Sequence, residues 1–252
     1  MTPLPLDGRR ALVAGGSRGI GLGIALALAR AGARVAVCAR GQAGLDQART
    51  RFAAEALPLH THACDLADAG QLQAWVEAAA AALGGIDILV NNASGFGNGS
   101  AEADWDASLQ VDLMAAVRAS RAALPWLRQG RQPAILNISS INGLVPTPRT
   151  PAYSTAKAAL NYYTSALAAE LAPERIRVNA LAPGSIEFAG GLWARRREDD
   201  PALYERIRAR IPFGGFGDVE AVAAAALFLC GPAARWITGQ ILAVDGGQSL
   251  PG

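Results

Sequence analysis

Short runs of consecutive apolar residues alternate with longer segments in which alanine and leucine recur at helical spacing, from the first tens of residues almost to the end of the chain. Runs at 10–14, 34–39, 59–63, 86–90, 134–138, 177–181 and 240–244 predict seven strands, and segments near 19–31, 42–56, 68–83, 102–128, 152–171 and 218–230 predict helices. Most strand runs are apolar without alternation, the pattern of strands covered by helices on both faces. The repeated β–α order predicts an α/β fold: one doubly wound Rossmann-type domain over 1–252, with a mostly parallel seven-stranded sheet and right-handed crossovers. Segment 184–216 breaks the rhythm. It is rich in glycine, proline and charge and follows a strand end, where functional loops of open sheets gather, so it is expected to form a flap over a site.

Composition narrows the possible partners. With 51% hydrophobic residues, 17% charged residues and a net charge of +2, the chain has a globular composition and no electrostatic reason to bind nucleic acid or an anionic membrane. Arg30 and Arg34 interrupt the most apolar early stretch before it reaches the roughly 18 residues of a membrane span. The opening MTPLPLDGRR lacks a signal-peptide pattern, so a soluble cytoplasmic protein is expected. Cys38, Cys64 and Cys230, odd in number and set among apolar neighbours, read as buried free thiols in a reducing compartment, not as a metal site. Among 23 basic residues only Lys157 is a lysine. That exception points to a place where a compact ammonium is required, against the plainer reading of a surface residue.

The first predicted strand runs into Gly15-Gly16-Ser17-Arg18-Gly19-Ile20-Gly21, which opens a helix. Glycines allow a tight turn and a close backbone approach, and the amides of a helix N-terminus hold a pyrophosphate, so this placement points to a dinucleotide. A carboxylate at the end of the second strand would select NAD. Here that end reads Val37-Cys38-Ala39-Arg40, with Arg18 in the nearby turn, and two guanidiniums favour the 2′-phosphate of NADP(H). The competing reading leaves both arginines simply solvated. Asp65, after the third strand, is a candidate for the adenine amino group. Asn91, in Asn91-Asn92-Ala93, is a candidate for the cofactor cleft and for bracing the sheet; each is equally a turn residue.

The strand at 134–138 ends in Ser139-Ser140, and Tyr153 and Lys157 follow four residues apart, on one helical face. A phenol ordinarily titrates near pH 10. An ammonium and an oxidised nicotinamide beside it stabilise the phenolate, which makes Tyr153 a candidate proton donor to a ketone or acceptor from an alcohol. Ser140 would hold the same oxygen, and Lys157 would also bond the ribose.

Gly15-x3-Gly19-x-Gly21, Asn91-Asn92-Ala93, Ser140, Tyr153-x3-Lys157, Pro183-Gly184 and the C-terminal Asp245-Gly246-Gly247 stand in the order of the short-chain dehydrogenase/reductase family, which the chain resembles over nearly its whole length. The resemblance lies toward the 3-oxoacyl-reductase-like branch. It implies a nicotinamide cofactor contacted by Gly15, Ser17, Arg18, Gly19, Ile20, Gly21, Arg40, Asp65, Asn91, Tyr153, Lys157, Pro183 and Gly184. It also implies Ser140, Tyr153 and Lys157 as the catalytic set, a small carbonyl or alcohol substrate, and a homotetramer. Two positions depart from the pattern. Asp112 stands where the family has an asparagine that relays protons to the lysine through water, and is expected to be an altered member of that catalytic relay. Phe188 stands where a threonine commonly bonds the nicotinamide carboxamide, with Ser185 or backbone groups as substitutes. These departures also support a second reading, a non-catalytic NADP(H)-binding regulatory or scaffold protein. Phe188, Leu192 and Trp193 would either line an apolar pocket or pack the flap. The six arginines of 190–211 would either attract an acyl-carrier-type anion or lie solvated among Glu198, Asp199, Asp200 and Glu205.

Overall fold

The computed structural model describes residues 5–97 and 99–250. Strands β1 (Arg10–Ala14), β2 (Arg34–Ala39), β3 (Leu59–Ala63), β4 (Ile88–Asn91), β5 (Ala134–Ile138), β6 (Arg177–Pro183) and β7 (Ile241–Val244) form one sheet in the order β3-β2-β1-β4-β5-β6-β7. Every pairing in it is parallel. The sheet therefore carries no antiparallel strand, where the sequence left room for one.

Helices α1 (Gly19–Arg30), α2 (Gln42–Ala53) and α9 (Val219–Cys230) cover one face, packing on Ala11, Val13, Val35 and Val37. Helices α3 (Ala69–Leu83), α5 (Ala115–Leu127) and α6 (Pro151–Leu171) cover the other, packing on Leu12, Ala14, Ala36 and Leu89. Successive strand residues thus feed opposite cores, which is why the central strands need no polar face.

Two expectations change in detail. The helix expected over 102–128 is α4 (Glu102–Ala107), a π-helical segment (Ser108–Met114) and α5. The wider turn buries Ser108 and Asp112, and such segments concentrate at functional sites. The stretch 184–216 contains two helices, α7 (Leu192–Asp199) and α8 (Pro201–Ala209), capped at their junction by Asp200, whose carboxylate accepts from the Leu203 amide at 3.0 Å. No helix among the described residues is long and apolar enough to cross a membrane.

β1 has β2 on one side and β4 on the other, so the winding direction reverses between β1 and β4. Open α/β sheets form their ligand crevice at that reversal, beyond the carboxyl ends of the strands. Asn91, Ile138 and Pro183 all end their strands on this edge.

Candidate active site

The glycine turn is shaped by contacts as well as by its own conformation. Gly15 has φ +72° and Gly19 φ +51°, a region that L side chains rarely adopt. A Cβ on Gly21 would lie 2.2 Å from the Gly15 carbonyl oxygen and 2.4 Å from Asn92 Nδ2. The amide of Asn92 donates to that same carbonyl at 2.9 Å, tying the β4 loop to the β1 turn across the reversal. Sequence reasoning noted Asn92 only as part of a motif; its place after the strand-ending Asn91 was the available signal.

Arg18 is the N-cap of α1 and makes no side-chain cap, and no acidic residue occupies the first turn. The first amides of α1 thus meet no competing carboxylate, the arrangement that suits an anionic group. Ser17 Oγ lies beside Gly44 in α2, and the Ile20 side chain packs into the core, leaving its backbone to serve a ligand. Arg18 and Arg40 are exposed, and neither guanidinium has an ion-pair partner among the described residues. These features fit a dinucleotide carrying an extra phosphate. Asp65 Oδ1 accepts from the Ala67 amide at 3.1 Å, so part of this carboxylate holds its own turn.

Phe188 lies against the same turn. A Cβ on Gly19 would sit 2.5 Å from the Phe188 ring, so one reason for glycine here is an aromatic neighbour from 169 residues away, a contact no local pattern announces. Ser185 is engaged by Gln248: its amide donates to Gln248 Oε1 at 2.8 Å and its hydroxyl accepts from Gln248 Nε2 at 3.0 Å. A Cβ on Gly184 would meet Asp245 and Gln248, so Pro183-Gly184 is clamped by the C-terminal loop at the end of β6. Trp193 stacks on Phe216 at 4.7 Å and Tyr204 packs on the same ring at 4.7 Å, while Arg197 and Tyr204 both bind the Glu187 carboxylate. Phe188 and Trp193 therefore pack the flap; Leu192 alone of that trio stays notably exposed.

Ser140, Tyr153 and Lys157 converge at the end of β5. Pro151 starts α6 at a position where its missing amide costs nothing, and Tyr153 and Lys157 project from one face. The Lys157 ammonium lies 5.5 Å from the Tyr153 ring centroid, and the Ser140 hydroxyl lies near enough to the phenol to favour its ionised form. Lys157 is buried; it donates to the Ile138 carbonyl at 2.9 Å and forms an ion pair of 3.0 Å with Asp112 Oδ1. That carboxylate oxygen is close enough for charge attraction but lies off the hydrogen-bond direction. Asp112 Oδ2 accepts from the Gly95 amide at 3.0 Å. A cavity of about 10 Å³, lined by Asn91, Ala93, Asp112, Ile138 and Leu160 among others, adjoins the pair.

Burial pushes the Tyr153 phenol above its ordinary range; the Lys157 charge and the Ser140 hydroxyl pull it down, while the Asp112 charge pushes it further up. The sequence pointed to a phenol lowered by Lys157, and Lys157 does act in that direction, but burial outweighs it in the protein alone and Asp112 adds to burial. For Lys157 burial favours the neutral amine, but Asp112 and Tyr153 together hold it protonated above its ordinary value.

Asn91 sits just behind. Its amide donates to Asn137 Oδ1 at 2.9 Å, and Asn137 donates to Thr164 Oγ1 at 2.9 Å, a buried polar chain joining β4, β5 and α6. Asn91 thus braces the sheet under the site. Asn137 and Thr164 escaped the sequence reading; a lone asparagine inside an apolar strand was the one clue.

At the mouth, Phe96 is 52% exposed, has φ +49°, and stacks on Tyr153 at 6.1 Å with a 4° interplanar angle. Phe96 is thus a strained, exposed aromatic placed directly beside the Tyr153 phenol.

The chain matches the family profile described as enoyl-(acyl carrier protein) reductase over residues 14–249. It is 36% identical over 252 residues to dehydrogenase/reductase SDR family member 4 of Sus scrofa, covering 97% of this chain and 88% of that protein. Among solved structures it resembles an NADPH-bound short chain oxidoreductase from Pseudomonas aeruginosa PAO1 containing an atypical catalytic center, at 36% identity and TM-score 0.89, covering 99% of this chain and 100% of that one. A short chain dehydrogenase from Burkholderia cenocepacia J2315 in complex with NADP matches at 36% identity and TM-score 0.88, covering 97% and 99%.

Proposed function

This chain belongs to the short-chain dehydrogenase/reductase family, and on that premise we propose that it is an NADP(H)-dependent oxidoreductase interconverting a carbonyl compound and its alcohol. The observation that carries the reading is the convergence of Ser140, Tyr153 and the buried Lys157 at the strand-end crevice that the glycine turn also borders. Similarity to NADPH- and NADP-bound proteins supports the cofactor.

When bound, the nicotinamide supplies or accepts the hydride. Ser140 holds the substrate oxygen, and Tyr153 gives that oxygen a proton during reduction or takes it during oxidation. Lys157 anchors the ribose and influences the phenol through its charge. The α1 amides of the Gly15–Gly21 turn bind the pyrophosphate, Arg18 and Arg40 bind the 2′-phosphate, and Asp65 and Pro183-Gly184 flank the remaining cofactor. NADPH is expected to bind at least about tenfold tighter than NADH. The double substitution Arg18→Ala/Arg40→Ala is expected to remove most of that preference in fluorescence titrations, and equal affinities in the unaltered protein would sink the assignment.

Phe96, Leu144 and Val145, on the loops that follow β4 and β5, and Leu192, at the start of α7 beyond β6, leave apolar surface exposed. This favours ketones with an apolar substituent. Loss of an aromatic contact removes about 0.5–1.5 kcal/mol. Phe96→Leu is therefore expected to raise KM for an aryl ketone about two- to tenfold and to spare an alkyl ketone of equal size; equal effects on both would refute a role for the ring.

Operation in the cytoplasm as a homotetramer completes the reading. Three buried free thiols suit a reducing compartment. Trp236, 96% exposed, and Leu242 on the edge strand β7 offer apolar surface for a second copy. The decisive experiment is turnover of NADPH and NADP⁺, with NADH and NAD⁺ alongside, against ketones, 3-oxoacyl thioesters, sugars and secondary alcohols.

A further inference from the structure

We propose that Asp112 is a positioning residue that opposes the Lys157 charge at Tyr153 and thereby helps keep the phenol in its proton-donating form, setting the site for carbonyl reduction at neutral pH. The inference rests on the reading of Tyr153 as acid/base. Its ground is a fully buried carboxylate 3.0 Å from the buried ammonium. Such a pair carries no net charge, whereas an asparagine in the same place would leave the cation uncompensated.

Among the described residues the surroundings supply no other counter-charge. From α6, Asp112 faces Lys157 and the more distant Tyr153; from the loop after β4 it meets the Gly95 amide, and the cavity beside it is also lined by the neutral Asn91. From β5 come the Ile138 carbonyl, bound to Lys157, and the Ser140 hydroxyl near the phenol. Within its own π-helical segment the other buried residue is the neutral Ser108. The field at the Tyr153 oxygen is therefore set by Lys157, Asp112 and burial, and Asp112 acts in the same direction as burial.

The geometry also restricts the ammonium. It donates to the Ile138 carbonyl and lies 3.0 Å from the Asp112 carboxylate, so part of Lys157 is turned toward the sheet. Reduction needs Tyr153 protonated and oxidation needs it ionised. A phenol held protonated to higher pH extends the plateau of the reductive reaction and delays the rise of the oxidative one. The equilibrium constant of the overall reaction is unchanged; only the pH at which each direction runs well moves.

The test is Asp112→Asn, which keeps an acceptor for the Gly95 amide while removing the charge, with Asp112→Ser as a second neutral variant. The pH dependence of kcat/KM is measured in both directions with saturating NADP⁺ or NADPH. The acid limb of alcohol oxidation is expected to move about one to two pH units lower, raising oxidation at neutral pH about tenfold or more. In parallel, the ultraviolet phenolate band, taken as the difference from Tyr153→Phe on each background, should titrate at lower pH without Asp112, with no substrate needed. An unshifted kinetic limb and an unshifted phenolate band in folded Asp112→Asn would overturn the proposal and leave Asp112 as a brace for Gly95. A shifted band in a protein with no Tyr153-dependent turnover would uphold the charge effect and refute the enzymatic reading instead.

Discussion

Replacing Tyr153 with phenylalanine is expected to lower turnover by about 10²–10⁴-fold, the usual contribution of a positioned general acid or base. The substitution removes one hydroxyl and leaves the ring to stack on Phe96 and to lie beside Lys157. Because Lys157 is held by Ile138 and Asp112 independently of that hydroxyl, its position should survive. NADPH affinity should change little. Stopped-flow or steady-state oxidation of NADPH, paired with a fluorescence titration, separates the two quantities. A parallel loss of binding would mean that Tyr153 organises the cofactor cleft more than the chemistry. Turnover undiminished in the variant would remove Tyr153 from the mechanism altogether. Tight NADPH binding without turnover of any carbonyl in the unaltered protein would favour the binding-protein reading.

The second large effect lies at the opposite end of the sheet. Asp87 is completely buried just before β4, and its carboxylate accepts from the Arg10 amide at 2.8 Å, from Arg10 Nε at 2.8 Å and Nη2 at 2.7 Å, and from the Arg131 amide at 2.5 Å. One side chain thus ties β1 and β4 together with the turn that enters β5. Asp87→Ala strands the Arg10 guanidinium and two backbone amides, and is expected to lower unfolding stability by about 3–5 kcal/mol. Against a typical total of about 5–15 kcal/mol, that is a large share. Urea denaturation would measure it, and a loss near zero would show that water replaces the carboxylate without cost.

The pH dependence has a definite sign. Burial raises the Asp87 carboxyl, but the Arg10 and Arg131 donors outweigh it and hold it below its ordinary value. A depressed folded value means that the stabilisation is complete above the unfolded value of about 3.9 and disappears as pH falls through the lower folded value. The unaltered protein should therefore lose stability more steeply than Asp87→Ala in that acidic window. Activity per folded molecule should be unaffected, because this network lies at the amino-terminal edge of the strands and the site lies at the carboxyl edge.

Several parts of this molecule were legible because they depend on neighbours in the chain. Apolar runs bounded by turn residues mark strands wherever helices cover both faces. The glycines of residues 15–21 mark a tight strand-to-helix turn. Tyr153 and Lys157, four apart, share a face of any helix that contains them, and the only lysine among many arginines drew attention to itself. Helix 102–128 was read correctly as helical and incorrectly as unbroken, since its alanine-rich sequence carries no local sign of the π-helical segment that buries Asp112. The two short helices of 184–216 were hidden by an arginine-rich composition that suits solvated loops equally well.

The pairing partners were decided only by the tertiary structure. Strand order β3-β2-β1-β4-β5-β6-β7 sets Asn92 against Gly15 and Asn91 against Asn137, which in turn donates to Thr164 of α6. Phe188 returns across the sheet to fill the space above Gly19, so that a glycine read as making room for phosphate also makes room for an aromatic ring. Asp112 reaches Lys157 only because α6 packs on the π-helical segment, and that contact adds a carboxylate to burial in pushing the Tyr153 phenol upward against the pull of Lys157. Local sequence determines backbone conformation through steric preference and spacing. Charge and solvation at an atom depend on what the fold brings within a few ångströms of it, and those groups lie anywhere along the chain.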